Sequence, residues 1–274
     1  MGWMEVVGLA ITGIAIDSQA EIGTAVGVAG SMRSTVSTVA SAIYTAILTN
    51  RLEKTIPDEV PAKLIAAVKV VYGEAAYRQL YGELVPLPKE RILVTQDLER
   101  MSLAGRQLEI VHTPGHALHH QVIVDLQHSG IFSGDTFGLS YREMDTANGA
   151  FIVPTTTPSQ FDPEQLLQSI DRLSAYDPRY LYLMHYGRVT DVPRLALDLK
   201  HQIREFERIA LEHAAAPDPS AAIGRAMREL WRDLAHRHGC DFTDARFDEI
   251  LAKDVELNVQ GLMVWLERRR KNSQ

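Results

Sequence analysis

The stretch LEIVHTPGHALHHQVIVDLQHSGIFSGDTFG, residues 108–138, decides how this chain folds. Apolar runs alternate with turns along it. Leu108 to Val111, Val122 to Leu126 and Ile131 to Ser133 each read as a strand. Thr113-Pro114-Gly115 breaks off the first of them. Proline fixes its own φ and drives the residue before it to extended geometry, and glycine permits the reversal that follows. Four of the ten histidines (His112, His116, His119 and His120) fall within nine positions here. His116 emerges at a strand end on a stiff loop, and Asp135 leaves the third strand in the same way after Ser133-Gly134. Two side chains of metal-ligand type, each ending a strand of one local sheet, can converge at one sheet edge.

A third segment fits this geometry. Arg179 to Met184 (RYLYLM) reads as a buried strand after the Asp177-Pro178 turn, and it ends in His185-Tyr186-Gly187. In order, HTPGH, FSGDTFG and LMHYG resemble the metallo-β-lactamase superfamily, in the hydrolase branch that includes glyoxalase II-like enzymes. The resemblance spans about Pro61 to Asp191, and the tail around Glu256-Leu257-Asn258-Val259-Gln260-Gly261 is similar to C-terminal helices of that branch.

The resemblance implies an α/β chain, an αββα sandwich with a two-metal site, usually zinc. Matched motif by motif, His116 stands where a histidine completes the first metal's set. Asp135 stands where a carboxylate bridges both metals, and His185 where a ligand of the second belongs. Imidazole nitrogen and carboxylate oxygen suit zinc, and a bridging carboxylate offsets repulsion between cations about 3.5–4 Å apart. His112, His120 and Tyr186 are expected behind these ligands, fixing an imidazole's far nitrogen or the loop. The implied chemistry is hydrolysis of a small acyl compound (ester, thioester, lactone or amide) by a metal-bound hydroxide.

One family motif is missing. HxHxDH supplies two histidines to one metal and an aspartate and a histidine to the other, yet the first histidine of this chain is His112. Neither ion position then keeps the three protein ligands of catalytic zinc. Three readings stay open. They are a metallo-hydrolase by lineage with impaired turnover, a non-catalytic scaffold or binding protein of the same fold, and the product of a frameshifted gene. A single ion held by His116, Asp135 and His185 is a further arrangement, which requires the loops to shift by about an ångström relative to a binuclear layout.

Size and composition set bounds around this core. A chain of 274 residues with 46% hydrophobic and 23% charged residues is an ordinary globular protein with a substantial core. A formal net charge of −7 argues against a nucleic-acid partner. The single cysteine, Cys240, excludes an intrachain disulfide and points to a reducing, cytoplasmic setting, where it is expected to be an inert thiol in a helical tail. The longest uncharged run, Ser34 to Asn50, is short for a bilayer and laced with Ser and Thr, so no membrane partner is expected.

Three regions follow: an atypical segment 1–60, a core 61–195 and a helical extension 196–274. The first reads as two short strands and an amphipathic helix over Ser34 to Leu52, without a signal peptide's basic start. Leu64, Val68, Val71 and Tyr72 mark a helix that breaks near Gly73, and Tyr77, Leu80 and Tyr81 a second short one. Arg91 to Val94 and Met101 to Leu103 read as strands. Tyr141 to Thr157 has no period and reads as a loop, either lining substrate or merely connecting. Asp162-Pro163 opens a helix. Helices are expected over Val192 to Ala214, Ser220 to His238 and Asp254 to Lys271, packing on the core or mediating homo-oligomerisation. His128, His201, His213, His236 and His238 read as surface or structural histidines without a ligand-type partner.

Overall fold

Alternating apolar runs and tight turns give a meander. In this computed structural model the described residues are 69, 74–81, 93–156 and 160–272. The expectations for the atypical segment, for the first helix near Leu64 and for the second half of the sandwich lie outside them. Among the described residues, six strands form one mixed sheet in sequence order: β1 (Glu99–Leu103), β2 (Arg106–His112), β3 (Gln121–Asp125), β4 (Gly130–Gly134), β5 (Tyr180–Leu183) and β6 (Arg188–Val189). All neighbours pair antiparallel except β4 and β5, which run parallel. β2, β4 and β5 therefore share a direction, and their C-terminal ends meet at one edge of the sheet.

Six helical segments of the described chain accompany the sheet. They are α1 (Glu74–Tyr81), a 3-10 turn at Arg142–Met144, α2 (Pro163–Ser174), α3 (Val192–His213), α4 (Pro219–His238) and α5 (Asp244–Asn272). The short helix expected at Tyr77 to Tyr81 is α1. Capping sets the others where the sequence indicates. Asp162 accepts the Gln165 N–H with Pro163 at the first turn of α2, Asp218 does the same for Ala221 and α4, and Gly239 ends α4 at φ 91°.

The two sheet faces differ. Val111, Val122, Val124 and Ile131 face the helices and join one core with Phe137, Ile170, Leu199, Phe206, Trp231, Leu262 and Trp265. The tail helices α3 to α5 thus share the core of the sheet, where several buried side chains each contribute about 1.5–3 kcal/mol. Leu108, Ile110 and Ile123 form a second cluster on the opposite face. Gln121 lies in register with them at the end where His112 sits, and its buried side-chain amide has no hydrogen-bond partner among the described residues.

Several expectations need correction. Leu93 and Val94 form no strand. Leu93 is half exposed, and a turn at Asp97-Leu98, with φ 62° at Leu98, intervenes before β1 starts two residues earlier than expected. Helix α5 begins at Asp244 rather than Asp254, with the Arg246 N–H bonded to Thr243 Oγ1. Tyr141 to Thr156 is more than a connection. Met144, Phe151, Ile152 and Val153 are buried, and Leu139 and Val153 exchange backbone hydrogen bonds. His128 has a ligand-type partner after all: its Nδ1 lies 3.1 Å from the Asp125 carboxylate, which also accepts from Arg106. Cys240 is buried with its thiol donating to the Met144 carbonyl, and burial pushes its pKa up, away from reactivity. No helix among the described residues is long and apolar enough to cross a membrane.

Candidate metal centre

The shared edge of β2, β4 and β5 gathers the three residues singled out in the sequence. Asp135 follows the Gly134 end of β4, and its two carboxylate oxygens diverge. Oδ2 lies 3.8 Å from His116 Nε2 and Oδ1 lies 3.5 Å from His185 Nε2. Two ligands of one tetrahedral zinc stand about 3.3–3.5 Å apart, given bonds of about 2.0–2.2 Å. Each imidazole is thus at about the separation expected for sharing an ion with one carboxylate oxygen. The arrangement is two pairs rather than one triad.

Local chemistry explains the placement. Gly115 adopts φ +125°, and a Cβ there would stand 2.2 Å from the Leu166 backbone nitrogen, so only glycine lets α2 close on the loop. The loop is pinned to α2 as well: the Asp162 N–H donates to Gly115 O at 2.8 Å and Ser169 Oγ to Pro114 O at 2.6 Å. His116 Nδ1 lies 3.1 Å from Thr155 O, a carbonyl that can only accept. Thr155 Oγ1 lies at the same 3.1 Å from Nδ1, but only the Nδ1–H tautomer satisfies the carbonyl, and it leaves Nε2 facing Asp135.

His120 holds Asp135 from behind. It is fully buried, its Nε2 accepts the Asp135 backbone N–H at 3.0 Å, and its Nδ1 meets the hydroxyls of Thr113 and Thr136 at 2.8 and 2.7 Å. Burial, with smaller contributions from His116, His119 and His112, lowers its pKa well below the ordinary histidine value. A neutral ring can accept at Nε2; a protonated one cannot.

His112 serves the loop: its Nε2 donates to Leu118 O at 2.8 Å, and its carbonyl accepts from Arg172 at 2.9 Å. His185 sits in the turn after β5, where Tyr186 and Gly187 take φ 69° and 98° and the Leu183 N–H bonds Gly187 O. The Tyr186 ring packs on Tyr141 with centroids 4.3 Å apart, and Tyr141 Oη donates to Asp254 Oδ2 at 2.7 Å. Sequence spacing does not select Thr113, Thr136, Tyr141, Thr155, Asp254 or Asn258. Hydroxyl and amide residues in loops and helices are too common for a pattern to single them out.

Residues 54–185 match the model of the metallo-beta-lactamase superfamily. The chain is 28% identical over 202 residues to a metallo-beta-lactamase fold-containing protein of Sulfurisphaera tokodaii, an alignment that takes in 73% of this chain and 61% of that protein. The chain thus spans about three-fifths of the length of the curated relative it matches. Among solved structures, an archaeal superfamily protein from Sulfolobus tokodaii aligns with TM-score 0.48 at 22% identity, covering 79% of this chain and 67% of that one. A metallo-beta-lactamase family protein from Thermus thermophilus aligns with TM-score 0.42 at 16% identity, covering 84% and 65%. The match over residues 54–185 and the likeness to the curated relative support a metallo-beta-lactamase superfamily member.

Members of the superfamily commonly bind metal ions, so the donor set must be tested against one. Each of the two pairs supplies two donors, one fewer than the three protein ligands of catalytic zinc. Among the described residues no group of three or more His, Cys, Asp and Glu side chains stands placed to hold an ion, so a single ion on His116, Asp135 and His185 would still need the loops to shift. The described residues bring one imidazole to each oxygen of the Asp135 carboxylate and do not fit a complete two-ion centre.

Proposed function

We propose that this chain is a metallo-hydrolase by lineage, directed at a small acyl compound (an ester, thioester, lactone or amide), with turnover impaired because its metal centre is incomplete. The observation that carries this reading is the Asp135 carboxylate, which sends one oxygen toward each of His116 and His185. The structural carboxylates of Asp162 and Asp218 accept backbone N–H groups at helix starts. Asp135 instead faces two imidazoles from two different loops, and His116 is held with its lone pair toward it. Impairment follows from the absence of any histidine before His112. Zinc is the ion this nitrogen and oxygen chemistry suits best.

A second reading, a non-catalytic scaffold of the same fold, is favoured by the lack of a three-donor cluster among the described residues. A turnover assay separates the two. A panel of thioesters and lactones is offered to the full chain with zinc added and with chelator, alongside Asp135→Ala. The hydrolase reading expects slow turnover that requires both zinc and Asp135. A cooperatively folded chain with no zinc-dependent turnover overturns it and leaves the scaffold.

A further inference from the structure

Helix α5 carries a buried stripe with polar members. Phe247, Leu251, Asp254, Asn258, Leu262 and Trp265 recur at intervals of three or four residues, and all are buried. Two positions of a core-facing stripe are therefore an aspartate and an asparagine, one turn apart on one face. Burying them without partners would cost several kcal/mol, so their partners show what they are for.

Asn258 is 2% exposed. Its Oδ1 accepts the Thr156 N–H at 2.8 Å, its carbonyl accepts from Thr156 Oγ1 at 3.1 Å, and its Nδ2 donates to Asp254 O at 2.8 Å. The residue before Thr156 is Thr155, whose carbonyl takes the His116 Nδ1 proton and whose hydroxyl donates to Asp135 O at 3.3 Å. Asp254 makes the parallel connection through Tyr141 to the Tyr186 ring beside His185. One face of the last helix is thus tied to the loops of both imidazoles through Thr156 and Tyr141, each more than 100 residues earlier in the chain.

We propose that Asn258 is a positioning residue. It clamps the 155–156 backbone so that Thr155 O selects the Nδ1–H tautomer of His116 and turns Nε2 toward Asp135, with Asp254 and Tyr141 bracing the His185 turn from the next turn of the same helix. The proposal takes from the hydrolase reading only its choice of site. The clamp itself requires no metal.

The alternative role for Asn258 is packing alone, and the ring-nitrogen spectrum of His116 distinguishes the two. Long-range proton–nitrogen spectra of metal-free protein, at a pH where imidazole is neutral, report which ring nitrogen carries the proton. The wild type is expected to show His116 as a single Nδ1–H tautomer. Asn258→Ala is expected to give a mixture of tautomers, and Asn258→Asp, which keeps the acceptor for the Thr156 N–H, to restore the single form. Val259→Ala trims a buried side chain next in the same helix, one that a Cβ added at Gly224 would meet at 3.6 Å, and should leave His116 unchanged.

If Asn258→Ala does not fold, Thr156→Val removes one of the two bonds between Thr156 and Asn258 and should shift the same signal by less. An unchanged His116 spectrum in every folded variant that cuts the clamp overturns the proposal. So does a shift of equal size in Val259→Ala. Zinc-dependent turnover is scored separately on the wild type. A chain with an intact His116 signature and no turnover would sink the hydrolase reading and leave the clamp standing.

Discussion

The two imidazoles that face Asp135 sit in loops of different kinds. The His116 loop is gripped from three sides: Gly115 lies against the Leu166 backbone, Ser169 and the Asp162 N–H hold its carbonyls, and Thr155 takes the ring proton. His116 is only 13% exposed, whereas His185 is 53% exposed. The His185 turn is a tight reversal after β5, and a Cβ built on Gly187 meets nothing within 4 Å. The His116 side is built into the core; the His185 side rests on a tilted tyrosine pair whose outer ring, Tyr186, is exposed. Pre-organisation is thus uneven across a single carboxylate. Groups of a site held by packing keep their geometry when other ligands are lost, and exposed groups depend on what they bind.

That contrast can be broken first at the glycines. Gly115→Ala forces a Cβ to within 2.2 Å of the Leu166 backbone nitrogen at φ +125°. It should destabilise the chain by about 3 kcal/mol or more, since neither the backbone nor α2 can yield cheaply. Denaturant unfolding measures the loss, and a cost below about 1 kcal/mol would show that the loop is not gripped as described.

The next effect in size is a pH dependence on the gripped side. His120 is held neutral in the folded chain, with its pKa well below the ordinary value of 6.5, while the unfolded chain protonates near that value. Below about pH 6.5 the unfolded state binds the extra proton, so stability falls on acidification by up to about 1.4 kcal/mol per pH unit. His120→Phe should flatten this slope relative to wild type. Equal slopes in the two proteins, measured by denaturant unfolding across that range, would mean that His120 takes up its proton without loss of the fold.

On the exposed side the effects shrink. Gly187→Ala meets open space and should cost about 1 kcal/mol, from the φ of 98° alone. His185→Ala should change stability by less than about 0.5 kcal/mol, as expected of a surface side chain. A thermal melt that placed His185→Ala below Gly115→Ala would reverse the comparison.

The legible parts of this molecule are those where a turn follows a strand. Pro114-Gly115, Ser133-Gly134 and Tyr186-Gly187 punctuate apolar runs, and His116, Asp135 and His185 stand beside that punctuation. The supports were hidden for physical reasons. Asp254 and Asn258 interrupt the apolar stripe of α5 while remaining buried in it, and Asp254 reads as the start of a helix that begins ten residues earlier. Residues 141–156 are held by backbone bonds to Leu139 and by Gln202 donating to Ile152 O, contacts that leave no period in a sequence. His128 reads as solitary, yet Asp125, three residues back, folds over the turn and accepts both the His128 backbone N–H and its ring.

On the proposed reading the described residues supply one side of a two-ion site and fall short of a whole one. Zinc content per chain tests this most directly, measured by elemental analysis after zinc loading and dialysis, with Asp135→Ala alongside. Well under one equivalent is expected in the wild type and none in the variant. Two equivalents retained through dialysis would contradict it, because a complete binuclear centre would then exist in a chain whose described residues offer only two donors to each ion.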